Sequence, residues 1–330
     1  MNTDPTIRWP VALGRATGPW TLTDRRGRWG RFDPETSQID AVDPTQDPTL
    51  PALAPLLESG ARLLGYRVAR RAVVTHNGSF VKVLKPSKAN RLVLRHQRAA
   101  ELLETVGVQV ARIEGATQDG AVSMAAVPGV SLHALMRGSD ETAVLAAIDE
   151  VGSALARLRT ATAVGLAAAA RPDVSEAVAI VGWIDPELAT RMASVAESLP
   201  TLPDGGFDLV HNDLHDKNIL LAGQGRVGLI DLDGAGAGLG EHDVANLGVH
   251  LHLRALQAGL AAGAGDKRRL RLYAASGVGT ELDSQLVAAC ERHVWLRLAG
   301  VYRLRSSSRP LVNEMLVRAS APEGQVEAHL

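Results

Sequence analysis

Apolar positions recur at two different spacings along this chain, and the change of spacing divides it. From residue 61 to about 85 the pattern is that of strands. Residues 70–75 and 79–84 flank His76-Asn77-Gly78, and Asn-Gly is a strong hairpin signal. Over about 88–105 the period becomes helical, with Leu92, His96, Ala99, Leu103 and Val106 on one face. Short strand-like runs return over 108–127, and Pro128-Gly129 reads as a connector. Helical spacing dominates afterwards, over about 141–160, 186–198, 243–261, 281–304 and 310–318. One strand-turn-strand piece interrupts it at 207–233. The pattern predicts an α+β protein of two lobes: a small strand-rich lobe over 61–127 and a larger, mainly helical lobe over 128–330.

Residues 1–60 stand apart. Asp-Pro pairs at 4–5, 33–34, 43–44 and 47–48 break regular structure there. Between them, 20–23 and 28–32 are spaced to pair as a hairpin around 24–27. Trp9, Trp20, Trp29 and Phe32 are 4 of the 11 aromatic residues, so the segment is expected to pack as an extension on the N-terminal lobe.

Composition narrows the class. With 46% hydrophobic and 22% charged residues, the chain has enough apolar surface for real cores, which excludes general disorder. Lys plus Arg number 35 and Asp plus Glu 36, so the basic excess of a general nucleic-acid binder is missing. One cysteine, Cys290, excludes an internal disulfide framework and reads as a buried small hydrophobe. No apolar run approaches the ~18 residues of a membrane helix, and the start lacks a signal-peptide pattern. A cytoplasmic protein without nucleic-acid or membrane partners is the expectation.

The chemistry concentrates in 209–233, LVHNDLHDKNILLAGQGRVGLIDLD. An apolar run leads into His211-Asn212-Asp213-Leu214-His215-Asp216-Lys217-Asn218. Two short strands around a Gly223–Gly225 turn follow, and the second ends at Asp231. A hairpin brings its two ends together, so Asp213, Asn218 and Asp231 converge on one small volume. Phosphoryl transfer needs such a set. One carboxylate orients a hydroxyl and takes its proton, while a second carboxylate and an amide oxygen hold Mg²⁺ against nucleotide phosphates. An alternative reading makes His211, Asp213 and His215 ligands of a hydrolytic metal site, which leaves Asn218 and Asp231 unexplained.

HNDLHDKNIL followed by LIDLDGAGAGLGEHDVANL resembles the catalytic segment of the aminoglycoside phosphotransferase and choline kinase-like family, which shares the protein-kinase fold. The resemblance spans roughly 61–320 and is strongest over 209–247. Asn212 stands where the family pattern has glycine, and Val244 where leucine is common. The resemblance implies a Mg²⁺-dependent transfer of the γ-phosphoryl of ATP (or GTP) to a hydroxyl. It implies Asp213 as the catalytic base and Asn218 and Asp231 as Mg²⁺ ligands. Lys82, on the third strand, would meet the nucleotide phosphates, and Val127, in the connector, would meet the base through its backbone. His215 would contact phosphate or substrate, or order the loop. His211 would hold the loop, and Asp243 would brace it or cap its own helix.

Three features depart from that pattern. His96 occupies the helix face where a glutamate often pairs with the lysine, leaving Glu101 or His96 as substitutes or the pair absent. No glycine-rich phosphate loop precedes the hairpin. Its place is taken by Gly65-Tyr66-Arg67-Val68-Ala69-Arg70-Arg71, with at least two of the arginines expected in solvent. Gly234, Gly236, Gly238 and Gly240 do not fit a dinucleotide-binding spacing and read as a flexible segment.

The acceptor is the least legible part. Residues 140–205 hold 4 basic and 10 acidic residues, which suits a polycation, whereas 244–330 hold 11 basic and 7 acidic, which opposes one. A choline-like substrate needs an aromatic cage, and few aromatics are available for it. A small hydroxyl compound such as an antibiotic, sugar or nucleoside is the expected acceptor. A Ser/Thr-containing peptide, or a non-catalytic nucleotide-binding scaffold, are the alternatives.

Overall fold

The computed structural model describes residues 9, 11–14, 16–24, 26–138, 140–170 and 174–321. The chain opens with an antiparallel meander of β1 (Val11–Leu13), β2 (Trp20–Thr23), β3 (Trp29–Asp33) and β4 (Gln38–Val42). Asp24 shapes the β2–β3 turn by accepting the backbone N–H groups of Arg26 and Arg28. A short helix α1 (Leu53–Glu58) follows.

Five strands make the next sheet: β5 (Arg62–Arg67), β6 (Arg71–His76), β7 (Ser79–Leu84), and, after helix α2 (Pro86–Thr105) and the two-residue strand β8 (Gln109–Val110), β9 (Ile113–Ala116) and β10 (Ala121–Met124). Their order is β5-β6-β7-β10-β9. Asn77 and Gly78, with φ of 49° and 84°, make the tight turn that the Asn-Gly pair predicts between β6 and β7. Strand β8 leaves this sheet and enters the next one, so the two lobes interlock at this point.

The C-terminal lobe begins with β11 (Val130–Ser131), α3 (Leu132–Gly138), α4 (Glu141–Leu158), α5 (Val174–Gly182) and α6 (Pro186–Glu197). Four strands carry the motif region: β12 (Asp208–Val210), β13 (Ile219–Leu221), β14 (Val227–Leu229) and β15 (Gly236–Gly238). Helices α7 (Gly240–Gln257), α8 (Ala264–Ser276), α9 (Ser284–Arg303) and α10 (Val312–Ser320) close the lobe. Its main core gathers α4, α7 and the motif strands around Leu132, Ile148, Leu214, Ile219 and Leu251, all essentially inaccessible. Helix α7 is buried nearly all round, which is why a helix at the centre of the lobe can place polar side chains under the motif loop.

Two expectations change. The glycine run after Asp231 is ordered: Gly236–Gly238 forms β15 and pairs antiparallel with β12. A side chain at Gly236 would begin 2.6 Å from the carbonyl of Ala167, so glycine serves close packing here, where flexibility was expected. The segment before residue 61 touches both lobes. Thr21 accepts the N–H of Val68, and Asp47 accepts from Tyr66 Oη and the N–H of Ala69. On the other side, Ala12 donates its N–H to Leu304, and Trp9, Trp20, Leu22 and Phe32 share a core with Ile180 and Leu304.

Candidate active site

Strand β12 delivers the chain into the 211–218 loop, and α7 fixes that loop from below. Asp243 accepts the backbone N–H of His211 at 2.5 Å and of Asn212 at 2.8 Å. It is a brace and not a cap: the α7 N-cap position is Leu239, with no side-chain cap. Burial pushes the Asp243 carboxyl up to about 6, against the pull of His211 and the two N–H groups. One turn along α7, Asn246 donates to the carbonyl of Leu214 (2.7 Å) and accepts from Arg297 (2.8 Å). Asn212 has φ of 64°, a left-handed conformation that glycine adopts freely and asparagine tolerates better than most residues. The glycine of the family pattern is thus replaced by a residue suited to the same backbone. The Asn212 amide donates to the carbonyl of Ala170 at 2.9 Å. His211 bonds the carbonyl of Ile230 through Nε2 (2.9 Å), and the N–H of Asp213 points at its Nδ1 (3.3 Å).

The three residues expected to converge do so. The β13–β14 register sets Ile219 opposite Leu229, and the carbonyl of Asn218 accepts the N–H of Ile230, one residue before Asp231. The Asn218 amide donates to the carbonyl of Asp213 at 3.0 Å. Asp213 itself is exposed and lines the large cleft between α5, α7 and α9. Asp231, with φ of 63°, turns its carboxylate towards the N-terminal lobe.

Lys82 arrives there from β7. Its Nζ lies 2.5 Å from Oδ1 of Asp231 and also contacts the Asp233 carboxylate. Neither helix candidate is its partner. His96 is buried and donates from Nε2 to the carbonyl of Ala111 at 2.5 Å, with burial pulling its pKa below the usual histidine range. Glu101 pairs with Arg98 on the surface. Asp233, read from the sequence as a turn residue, is held by Lys82, by Arg71 (Nη1–Oδ2 3.0 Å) and, through its carbonyl, by Arg95 of α2 (2.8 Å). Burial would raise the Asp231 pKa, but Lys82 beside it, with Arg71 and His211 nearby, holds it well below the usual carboxylate range. None of the arginines of the 65–71 turn is fully solvated: Arg71 holds Asp233, while Arg67 and Arg70 line the cleft at Asp213.

Val127 lies in the connector, with its side chain over Gly228, where a Cβ would come within 2.6 Å of Val127 Cγ1. Neither its N–H nor its carbonyl is taken up by another described residue. His215 lines the cleft, accepts the N–H of Lys217 at Nδ1 (3.2 Å), and is pulled down in pKa by burial.

Asp216 was missed by sequence reasoning. It is fully buried behind the loop, where Arg254 meets it with two bonds (2.8 and 3.1 Å) and His133 donates to it at 2.5 Å. Nothing local marks it, because its partners lie on α3 and α7. Among the described residues no cluster of three or more His, Cys, Asp or Glu forms a metal cage, so the arrangement does not match a histidine-rich hydrolytic site. No described helix is long and apolar enough to cross a membrane.

An ion-paired lysine on a strand sheet, facing two carboxylates on a helical lobe beside a braced Asp-bearing loop, defines a kinase-like phosphotransferase. The chain belongs to the phosphotransferase enzyme family, whose model matches residues 61–273. Among solved structures it is similar to the amicoumacin kinase hAmiN, at 14% identity and TM-score 0.58, covering 84% of this chain and 94% of that one. It is similar to the aminoglycoside phosphotransferase APH(3'')-Id of Streptomyces rimosus at 18% identity and TM-score 0.52, covering 76% of this chain and 97% of that one. Choline kinase LicA of Streptococcus pneumoniae is similar at 13% identity and TM-score 0.52, with 80% and 96% covered. At these identities the likeness is one of fold. No curated protein is significantly similar in sequence.

Proposed function

We propose that the protein transfers the γ-phosphoryl group of ATP, or GTP, to a hydroxyl of a small molecule. The observation that carries the reading is the facing of Lys82 and Asp231 across the lobe boundary, next to the braced Asp213 loop. Residues 61–127 would cover the nucleotide, with Val127 meeting the base and Lys82 the phosphates, and residues 128–330 would hold the acceptor. The amicoumacin kinase structure contains AMP-PNP and Ca²⁺, and the S. rimosus enzyme has been solved with ADP and streptomycin, which supports a nucleotide and a small-molecule acceptor here.

Asp213 orients the acceptor hydroxyl and receives its proton as the oxygen bonds to the γ-phosphorus. The bond from that phosphorus to the β–γ bridging oxygen breaks, and a nucleoside diphosphate leaves. Asn218 and Asp231, with Asp233 beside them, offer the hard oxygen donors that suit Mg²⁺. When bound, the ion neutralises phosphate charge. Lys82 and Arg71 bond the Asp231–Asp233 pair in the free protein and turn to phosphate oxygens when nucleotide enters. The fixed bonds from Asp243 and Asn246 keep the loop from reorganising during transfer. His215 lines the acceptor side of the cleft and orders the Lys217 backbone. Mass analysis of acceptors incubated with nucleotide and Mg²⁺ tests the reading: a gain of one phosphoryl group is expected, and its absence in every acceptor class would contradict it.

A further inference from the structure

The cleft at Asp213 has a volume of about 660 Å³ and is walled by both lobes and by β1 of the N-terminal meander. That is room for a compact metabolite. Its charge is one-sided: among the described residues lining it, six are Arg or Lys and two are Asp or Glu. Arg254 is committed to Asp216. Lys217, Arg297 and Arg305 have no carboxylate paired with them among the described residues.

Arg297 and Arg305 are each held in a way that leaves donors for a ligand, and Lys217 is exposed. Arg297 spends one Nη2 bond on Asn246, and the nearby carboxylate it senses is Asp213. Arg305 stacks on Tyr302, 4.8 Å from the ring centroid, and its buried Nε has no hydrogen-bond partner. Burial, together with Arg254 and Arg305 and against the pull of Asp216, lowers the pKa of Lys217, so Arg254 and Arg305 press on Lys217. Such a group is unfavourable until an anion enters it.

The same residues disfavour cationic acceptors. A polycation would face three unpaired positive charges. A quaternary ammonium needs several aromatic faces. Tyr302 is the one Phe, Trp or Tyr among the described lining residues, and Arg305 covers it. The other candidates lie elsewhere: Trp183 and Phe207 are exposed, Tyr273 bonds Glu291, and Trp295 packs on His252.

Resting on the phosphotransferase reading above, we infer that the acceptor is a hydroxyl compound carrying an anionic group, a phosphate ester or a carboxylate. Lys217, Arg297 and Arg305 grip that group while the hydroxyl faces Asp213. The bonds made and broken are those of the transfer already described, and the anionic group takes no part in them.

Inorganic phosphate is the first probe, titrated calorimetrically into the full chain saturated with Mg-ADP. The expected result is saturable binding that Lys217→Ala and Arg305→Ala each weaken about tenfold or more, while Arg112→Ala, on the exposed N-lobe surface, leaves it unchanged. No saturable binding, or binding that neither substitution weakens, overturns the inference. Failure of Mg-ADP to bind would strike the nucleotide reading instead, and the phosphate titration would still report on the cleft. Matched acceptors then read the class: glycerol against glycerate, ribose against ribose 5-phosphate, and a polycationic amino sugar. Turnover of the carboxylate or the phosphate member names which anion is used. Preference for the neutral or cationic members overturns the inference.

Discussion

The Nζ of Lys82 lies 2.5 Å from Oδ1 of Asp231, although 149 residues separate them in sequence. This pair joins the strand lobe to the motif loop directly, without a glutamate from α2. Helix α2 contributes Arg95 instead, which bonds the carbonyl of Asp233. Removing the lysine therefore leaves two neighbouring carboxylates facing Arg71 alone. Lys82→Ala is expected to lower kcat/KM for nucleotide by about 100-fold or more. Steady-state kinetics check this, and retention of most of the wild-type value would make Lys82 a structural residue only.

Asp243 holds the loop through two backbone N–H groups, and no other described side chain accepts from them. Asp243→Ala leaves the buried N–H of His211 and the partly buried N–H of Asn212 without an acceptor, at a cost of about 2–4 kcal/mol. The loss should appear in the urea midpoint and in a lower kcat. Asn212→Gly is the complementary change. Glycine suits the φ of 64° but loses the bond to Ala170, so stability should shift by no more than about 1 kcal/mol and activity should persist.

Asp216 predicts a pH dependence. Burial raises its pKa, but Arg254, His250 and His133 overcome this and hold it at about 2, below the ordinary 3.8. The folded protein thus binds the proton less readily than the unfolded chain does. The resulting stability is complete above about pH 4 and is lost as pH falls towards 2, in an amount of about 2 kcal/mol. Asp216→Asn should flatten this part of the stability curve. It should also destabilise the protein by about 3 kcal/mol at neutral pH, because Arg254 loses its carboxylate. Urea unfolding at several acidic pH values, compared with wild type, checks both effects.

Much of the architecture and the convergence of Asp213, Asn218 and Asp231 were legible because they rest on local signals. Asn77-Gly78 set one hairpin, and two polar clusters flanking a second hairpin marked the site. Helix α8 was missed because its buried face is charged: Arg268 pairs with Glu141 and Arg269 with Glu291, so no apolar period shows. The partners of Lys82 were misplaced for a different reason. Arg71 reaches Asp233 across 162 residues and Arg95 reaches it across 138, distances at which spacing carries no information. The glycines of β15 looked flexible because sequence cannot show that Ala167 and Val210 lie against them. Nor could it show β1 walling the cleft, since the contact with Leu304 depends on the finished fold.

The most direct test of the account is Mg²⁺-dependent nucleotide turnover with product mass for a panel of hydroxyl acceptors, run on the wild type and on Asp213→Asn. One added phosphoryl group is expected in the wild type, and loss of transfer with nucleotide affinity retained in the variant. Transfer that survives Asp213→Asn would contradict it.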